Sequence, residues 1–154
     1  MTRRPFGIRK RGPGASKISP LGYGPKMVKV GLVAGEADSE NVDKGFWNEF
    51  GTETIPERPF LRNTMRNNRD AYRAAMRAAA KTIIGTAARG GDARGAVTLA
   101  LRKLGLKAAD DVKSEITALS DPPNAPATIA RKGSSNPLIE DGEMRNAVSS
   151  KVEE

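Results

Sequence analysis

Hydrophobic and polar residues change their period repeatedly along this chain, and each change marks an element. Residues 27–33 alternate and predict a strand. Residues 35–43 read as an acidic loop. Residues 45–52 predict a second strand, in which Phe46, Trp47 and Phe50 supply most of the large apolar area. Strand alternation puts Phe46 and Phe50 on one face and Trp47 on the other. The Phe pair is therefore expected in the core, with Trp47 beside a packed helix or a subunit boundary. Residues 53–59 form a loop with two prolines. A long helix is predicted from 59 or 60 to about 84, ending near Gly85. At roughly 100° per residue, Leu61, Met65, Tyr72, Met76, Ala79 and Ile83 fall within a sector of about 60°, a core or subunit-packing stripe. Arg62, Arg66, Arg69, Arg73 and Arg77, with Lys81 at the edge, make a second stripe about a quarter turn away.

Residues 86–95 are a small, Gly-rich connection. A helix over 93–104 uses Val97, Leu101 and Leu104, and Gly105 is expected to interrupt it. Another helix over 107–119 turns Val112, Ile116 and Leu119 inward, with Asp110 and Asp111 in its first turn complementing the helix dipole. The segment 122–152 is then densely punctuated. Pro122-Pro123-Asn124 breaks what precedes it. Residues 125–132 make two helical turns, capped by Gly133. Residues 134–137 form a second loop, Leu138 and Ile139 an apolar pair, and Asp141 or Gly142 starts a turn through Arg145 and Asn146. Residues 147–152 alternate weakly, as a half-buried strand would. The expected fold is α+β: a small antiparallel sheet of 27–33, 45–52 and 147–152, with about three helices on one face.

Composition sharpens this picture at the N-terminus. The hydrophobic fraction is 38% and the aromatic fraction 5% of 154 residues, so one modest core is possible and apolar surface is left for partners. The net charge is +8, and residues 1–35 hold eight Lys or Arg and no acid, while the rest of the chain is balanced. Residues 1–26 thus form a basic, Pro- and Gly-rich arm and 27–154 the domain. The arm alone buries too little to offset its ordering entropy. It is expected to act as a strap, burying Phe6, Ile8 or Tyr23 against another chain. Arg3, Arg4, Arg9, Lys10, Arg11 and Lys17 suit phosphate or an acidic subunit. No apolar run approaches the roughly 20 residues that span a membrane.

Candidate chemistry is sparse. With no His and no Cys, the commonest general base, the commonest metal ligand and every thiolate site are missing. Gly90-Gly91 lacks the Gly-Lys-Ser/Thr ending of a phosphate loop and reads as a linker. Asp110/Asp111 and Glu140/Asp141/Glu143 read as capping and solvated acids rather than as a Mg²⁺ site. Lys132-Gly133-Ser134-Ser135 has no supporting oxyanion pattern. No catalytic, cofactor or metal site is assigned. The arginine stripe is the sharpest physical signal. It is nearly all Arg, which favours carboxylate or phosphate forks over bulk water, and it lacks the i,i+4 acids of an ordinary solvated face.

The run Pro-Pro-Asn-Ala-Pro-x-Thr-Ile-x-x-Lys-Gly (122–133), followed by Asn-Pro-Leu-Ile-x-x-Gly-x-Met (136–144), resembles the C-terminal signature of tailed-bacteriophage neck proteins, the head–tail joining or tail-completion components. Residues 46–52 and 55–62 resemble the family's middle signature. One departure is Glu140-Asp141-Gly142 where the family usually has Asp-Thr-Gly. The structural residues carried by the motifs are Trp47, Pro59, Pro123, Pro126, Lys132, Gly133, Pro137 and Gly142. The resemblance implies a structural virion protein, not an enzyme, without cofactor. It would be a subunit of a sixfold or twelvefold neck ring around the DNA channel, assembled in the host cytoplasm. Its neighbours would be the portal or connector and the tail-terminator or tail-tube proteins, with packaged double-stranded DNA contacted non-specifically. In such a ring the arginine stripe is expected to pack on acidic surfaces of adjacent subunits, such as the loop of Glu36, Asp38 and Glu40. Arg66, Arg73 and Arg77 would then lie within about 4 Å of carboxylates. The competing reading is a stand-alone basic nucleic-acid-binding protein.

Overall fold

A computed structural model describes residues 24–153. The elements run β1 (Met27–Gly31), α1 (Ser39–Phe50), α2 (Phe60–Asn67), α3 (Arg69–Ala88), α4 (Ala93–Ala118), α5 (Pro126–Lys132), α6 (Glu143–Asn146) and β2 (Ser149–Glu153). The class is α+β with a small antiparallel sheet, as the pattern implies. Its two strands pair from Met27 with Glu153 to Gly31 with Ser149, and the Lys26 amide extends the ladder to the Glu153 carbonyl at 3.1 Å.

The sheet lies on the middle of α4, and Gly105 makes that possible. A Cβ at Gly105 would come within 2.6 Å of Val28 Cγ2 and 2.9 Å of Ser150 Oγ. Gly105 therefore does not interrupt the helix, as the pattern suggested. One glycine costs a helix roughly 1 kcal/mol relative to alanine, and close sheet packing offsets that here. The two helices expected over 93–104 and 107–119 are one, about 39 Å long at 1.5 Å per residue. Gly105→Ala should accordingly destabilise the domain by about 1–3 kcal/mol despite better helix propensity, read as a lower urea midpoint. A stabilised Gly105→Ala protein would show that the strands do not press on α4 there.

The core gathers Phe60, Ala109, Val112, Ile116, Leu119, Leu138, Met144 and Val148, with Val30, Leu32, Leu61 and Ile139 packed against it. It thus joins α2 and the second half of α4 to the C-terminal segment. Gly133 (φ 67°) and Gly142 (φ 87°) are left-handed and bracket α5 and α6 where the punctuation places them.

Three further expectations are corrected. Residues 45–52 are not a strand. The acidic loop ends at Asp38, whose carboxylate accepts from the Asn41 backbone amide at 2.8 Å and starts α1. A strand would split positions 46 and 50 from 47, whereas a helix puts all three on one side. The sheet consequently has two strands among the described residues. Second, the long helix from 60 breaks at Asn68, where the Asn68 side-chain amide donates to the Thr64 carbonyl at 3.0 Å. The Thr64 hydroxyl donates to the Phe60 carbonyl at 2.7 Å. Such local side-chain bonds compete with the helix ladder and bend it. Third, Asp110 and Asp111 sit in the middle of α4, not in a first turn.

Candidate functional site

The motif residues build a half-buried polar knot around the buried Arg58. Arg58 is 4% exposed, although it stands between Glu57 and Pro59 in a stretch that reads as solvated. Its guanidinium donates to the carbonyls of Pro122 (2.9 Å) and Pro123 (3.1 Å) and to the side-chain oxygens of Asn48 (3.2 Å) and Asn124 (3.3 Å). Burial pulls the Arg58 pKa below its ordinary value without neutralising it. Asn136 extends the knot. Its side-chain oxygen accepts from the amides of Leu138 and Ile139, and its side-chain amide donates to the Thr117 carbonyl. The Asn136 carbonyl accepts from Asn124 and from Lys132 Nζ at 3.1 Å. Burial lowers the Lys132 pKa as well.

The other motif residues support the same knot. Pro126 opens α5, Pro137 is buried, and Pro59 leads into α2. Arg58, Asn48, Asn124 and Asn136 carry the knot, and sequence reading did not single out Arg58 or Asn136 as buried. No periodicity marks a lone buried polar residue. The groups converging here are carbonyls, amides and two cations, all bonded to one another, so the arrangement holds chain segments together.

The arginine stripe does not stay whole. Arg62 turns back onto α1 and bridges Glu49 (2.9 Å) and Glu57 (2.7 Å). The buried Glu49 carboxylate also accepts from the backbone amides of Leu61 and Arg62, capping the first turn of α2. Arg73 lies 4.0 Å from Asp70 on its own helix. Arg66, Arg69 and Arg77 are exposed, and among the described residues no carboxylate pairs with them. The basic residues Arg3, Arg4, Arg9, Lys10, Arg11 and Lys17, and the expected strap contacts of Phe6, Ile8 and Tyr23, lie outside the described residues.

Two unlike faces remain open. The first is α1, whose polarity is inverted. Asn41, Gly45 and Glu49 face inward, where Gly45 leaves space for Leu32 and Phe60. Phe46 (58% exposed), Trp47 (45%) and Phe50 (56%) face outward, so the expectation of a Phe pair in the core is wrong. The Phe46 and Phe50 rings lie 4.9 Å apart, and the Arg62 guanidinium covers Phe50 at 5.2 Å. The aromatics point out because the inner side of α1 meets Leu32, Phe60 and the α2 amides, which require a small residue and a carboxylate instead.

The second face is the hairpin of α3 and the first half of α4. None of the twenty residues of α3 is buried. The Tyr72 hydroxyl donates to Asp111 at 2.9 Å and ties the two helices together, and burial followed by this bond raises the Tyr72 pKa. An apolar cleft of about 550 Å³ lies between the helices, lined by residues such as Ala75, Met76, Ala79, Val97, Leu99 and Ala100. The stripe of Leu61, Met65, Tyr72, Met76, Ala79 and Ile83 is split by the bend at Asn68. Leu61 packs on the core, whereas Met76 and Leu99 stay more than half exposed. Among the described residues no helix is long and apolar enough to cross a membrane. No family model, curated protein or solved structure matches the chain.

Proposed function

We propose that this chain is a structural virion protein of a tailed bacteriophage, a subunit of the ring that joins head to tail around the DNA channel. The observation that carries the reading is the inverted α1. A helix that turns two phenylalanines and a tryptophan outward, on a domain with so few aromatics, is completed by another chain. The rigid C-terminal knot is built from the same residues that resemble the neck-protein signature, and the knot does no chemistry. The chain's work is then assembly: apolar burial between subunits in a sixfold or twelvefold ring, seated between the portal or connector and the tail-terminator or tail-tube proteins. Its place is the virion neck, reached from the host cytoplasm, and no cofactor takes part. Particles carrying a small electron-dense tag in the exposed Gly90-Gly91 turn should show it at the head–tail junction in six or twelve copies. A tag found elsewhere on the particle, or not on it, defeats the reading.

The exposed Arg66, Arg69 and Arg77 favour one second reading, a stand-alone protein that binds duplex nucleic acid. The two part company in solution. A dedicated duplex binder holds free DNA non-specifically with a dissociation constant of roughly 10⁻⁶–10⁻⁴ M at physiological salt, with a steep salt slope. We expect the full chain to bind more weakly than about 10⁻⁴ M. Tight binding whose log–log salt slope flattens by about 3 when these arginines all become Gln would favour the DNA reading.

A further inference from the structure

We infer that the outward aromatic face of α1 docks into the α3–α4 cleft of a second copy of this chain, a head-to-tail contact between unlike surfaces; the inference rests on the ring reading and names its interface. Three observations converge on it. The chain segregates its charge: residues 36–57 hold seven acids and one lysine, and residues 62–94 hold eight basic residues and two acids. The acidic piece carries the exposed knobs, since Asp43, Phe46, Trp47 and Phe50 follow the i, i+3, i+4, i+7 spacing of one helical face. The basic piece supplies one wall of the hole, an apolar cleft whose other wall, on α4, carries Lys103 and Lys107. Within one subunit α1 packs against α2 and α6, which leaves its outer face clear.

The arm suits the cleft less well. The described chain begins at Gly24, beside Arg94 of α4. Arg94 lies on the same side of that helix as the cleft residues Val97 and Leu101, within about two turns, so the described chain starts near the cleft and charge decides between the two occupants. The arm is also basic, like the rim it would meet. The acidic α1 face of a neighbour has the opposite charge, and opposite potentials select partners and register.

The area is modest. Roughly half of the 150–250 Å² of each aromatic is on offer, so the three bring about 250–400 Å² against the roughly 800 Å² per partner of a stable interface. One such contact alone is weak. A heterologous contact repeated with a closing rotation gives a ring, in which every subunit uses both faces.

The chain has no cysteine, so single cysteines report the pairing. Full-length Ser39→Cys, on the α1 face, and full-length Ala80→Cys, on the cleft, are treated with a short bismaleimide, alone and mixed. Covalent dimers are expected in the mixture and not in either protein alone. Adding Met76→Glu to the cleft variant, or Phe46→Glu to the α1 variant, should lower the yield at least about tenfold, while far-UV circular dichroism and the urea midpoint stay unchanged. Dimers in either protein alone would mean that like faces meet, and the proposal fails. Dimers that appear only after residues 2–22 are deleted would place the arm in the cleft, and the proposal fails. A closed oligomer by light scattering without mixed dimers overturns this pairing and leaves the ring reading standing. Mixed dimers from a chain whose tag lies away from the head–tail junction keep the pairing and remove that reading.

Discussion

Replacing Arg58 by alanine should cost the domain about 3–5 kcal/mol, because a hydrogen bond to a charged group is worth roughly 1.5–3 kcal/mol and the buried Arg58 makes four of them. The carbonyls of Pro122 and Pro123 and the side chains of Asn48 and Asn124 would all lose their donor. A total stability of roughly 5–15 kcal/mol leaves little after that loss. Arg58→Lys should rescue only a minor part. An ammonium is a compact point charge and cannot reproduce a planar fork that reaches four oxygens on two separate segments. Urea unfolding followed by circular dichroism measures both. A near-native midpoint for Arg58→Ala would mean that the loop at 122–124 holds its shape without the guanidinium.

Phe60→Ala should cost a comparable 3–5 kcal/mol, while Phe50→Ala should cost less than about 1 kcal/mol. Phe60 is 0% exposed and sits at the centre of the core, so truncation opens a cavity among Val112, Ile116 and Leu119. Phe50 loses only its contact with Phe46 and the cover of Arg62, a cation–π contact worth about 0.5–1 kcal/mol at an exposed site. The two phenylalanines stand ten positions apart in one motif-rich stretch, and their variants separate fold from surface. Equal losses at both would put α1 into the core and undo the account of its inverted polarity.

How legible the chain is follows from which rule each segment obeys. The C-terminal punctuation was readable because Gly133 and Gly142 occupy left-handed positions that other residues avoid, and prolines restrict their neighbours. β1 was readable because a strand with one side on α4 alternates. α1 was not, since a reading that places the largest apolar side chains inside must fail where they face out. The interruption at Gly105 was misplaced for a related reason: a glycine is a breaker on a bare helix and a spacer under a sheet. The bend at Asn68 depends on two side chains bonding to their own helix, which no periodicity records. Of the candidate site, the basic character of the hairpin was legible and its partners were not. The stripe assumed one straight helix, and Arg62 was in fact committed to Glu49 and Glu57.

The pairing of β1 with β2 joins residues more than a hundred positions apart in sequence. On a ribosome β1 is made early and must wait, because its partner does not exist until residues 149–153 have been added. Through that interval the flank of α4 around Gly105 is uncovered, and β1 presents a bare edge to anything nearby. Closing so long a loop is entropically slow to nucleate, so the sheet should form only after residues 149–153 have left the ribosome. A crowded cell making many copies at once would therefore hold a pool of nascent chains whose strand edges can find each other before they find their own second strand.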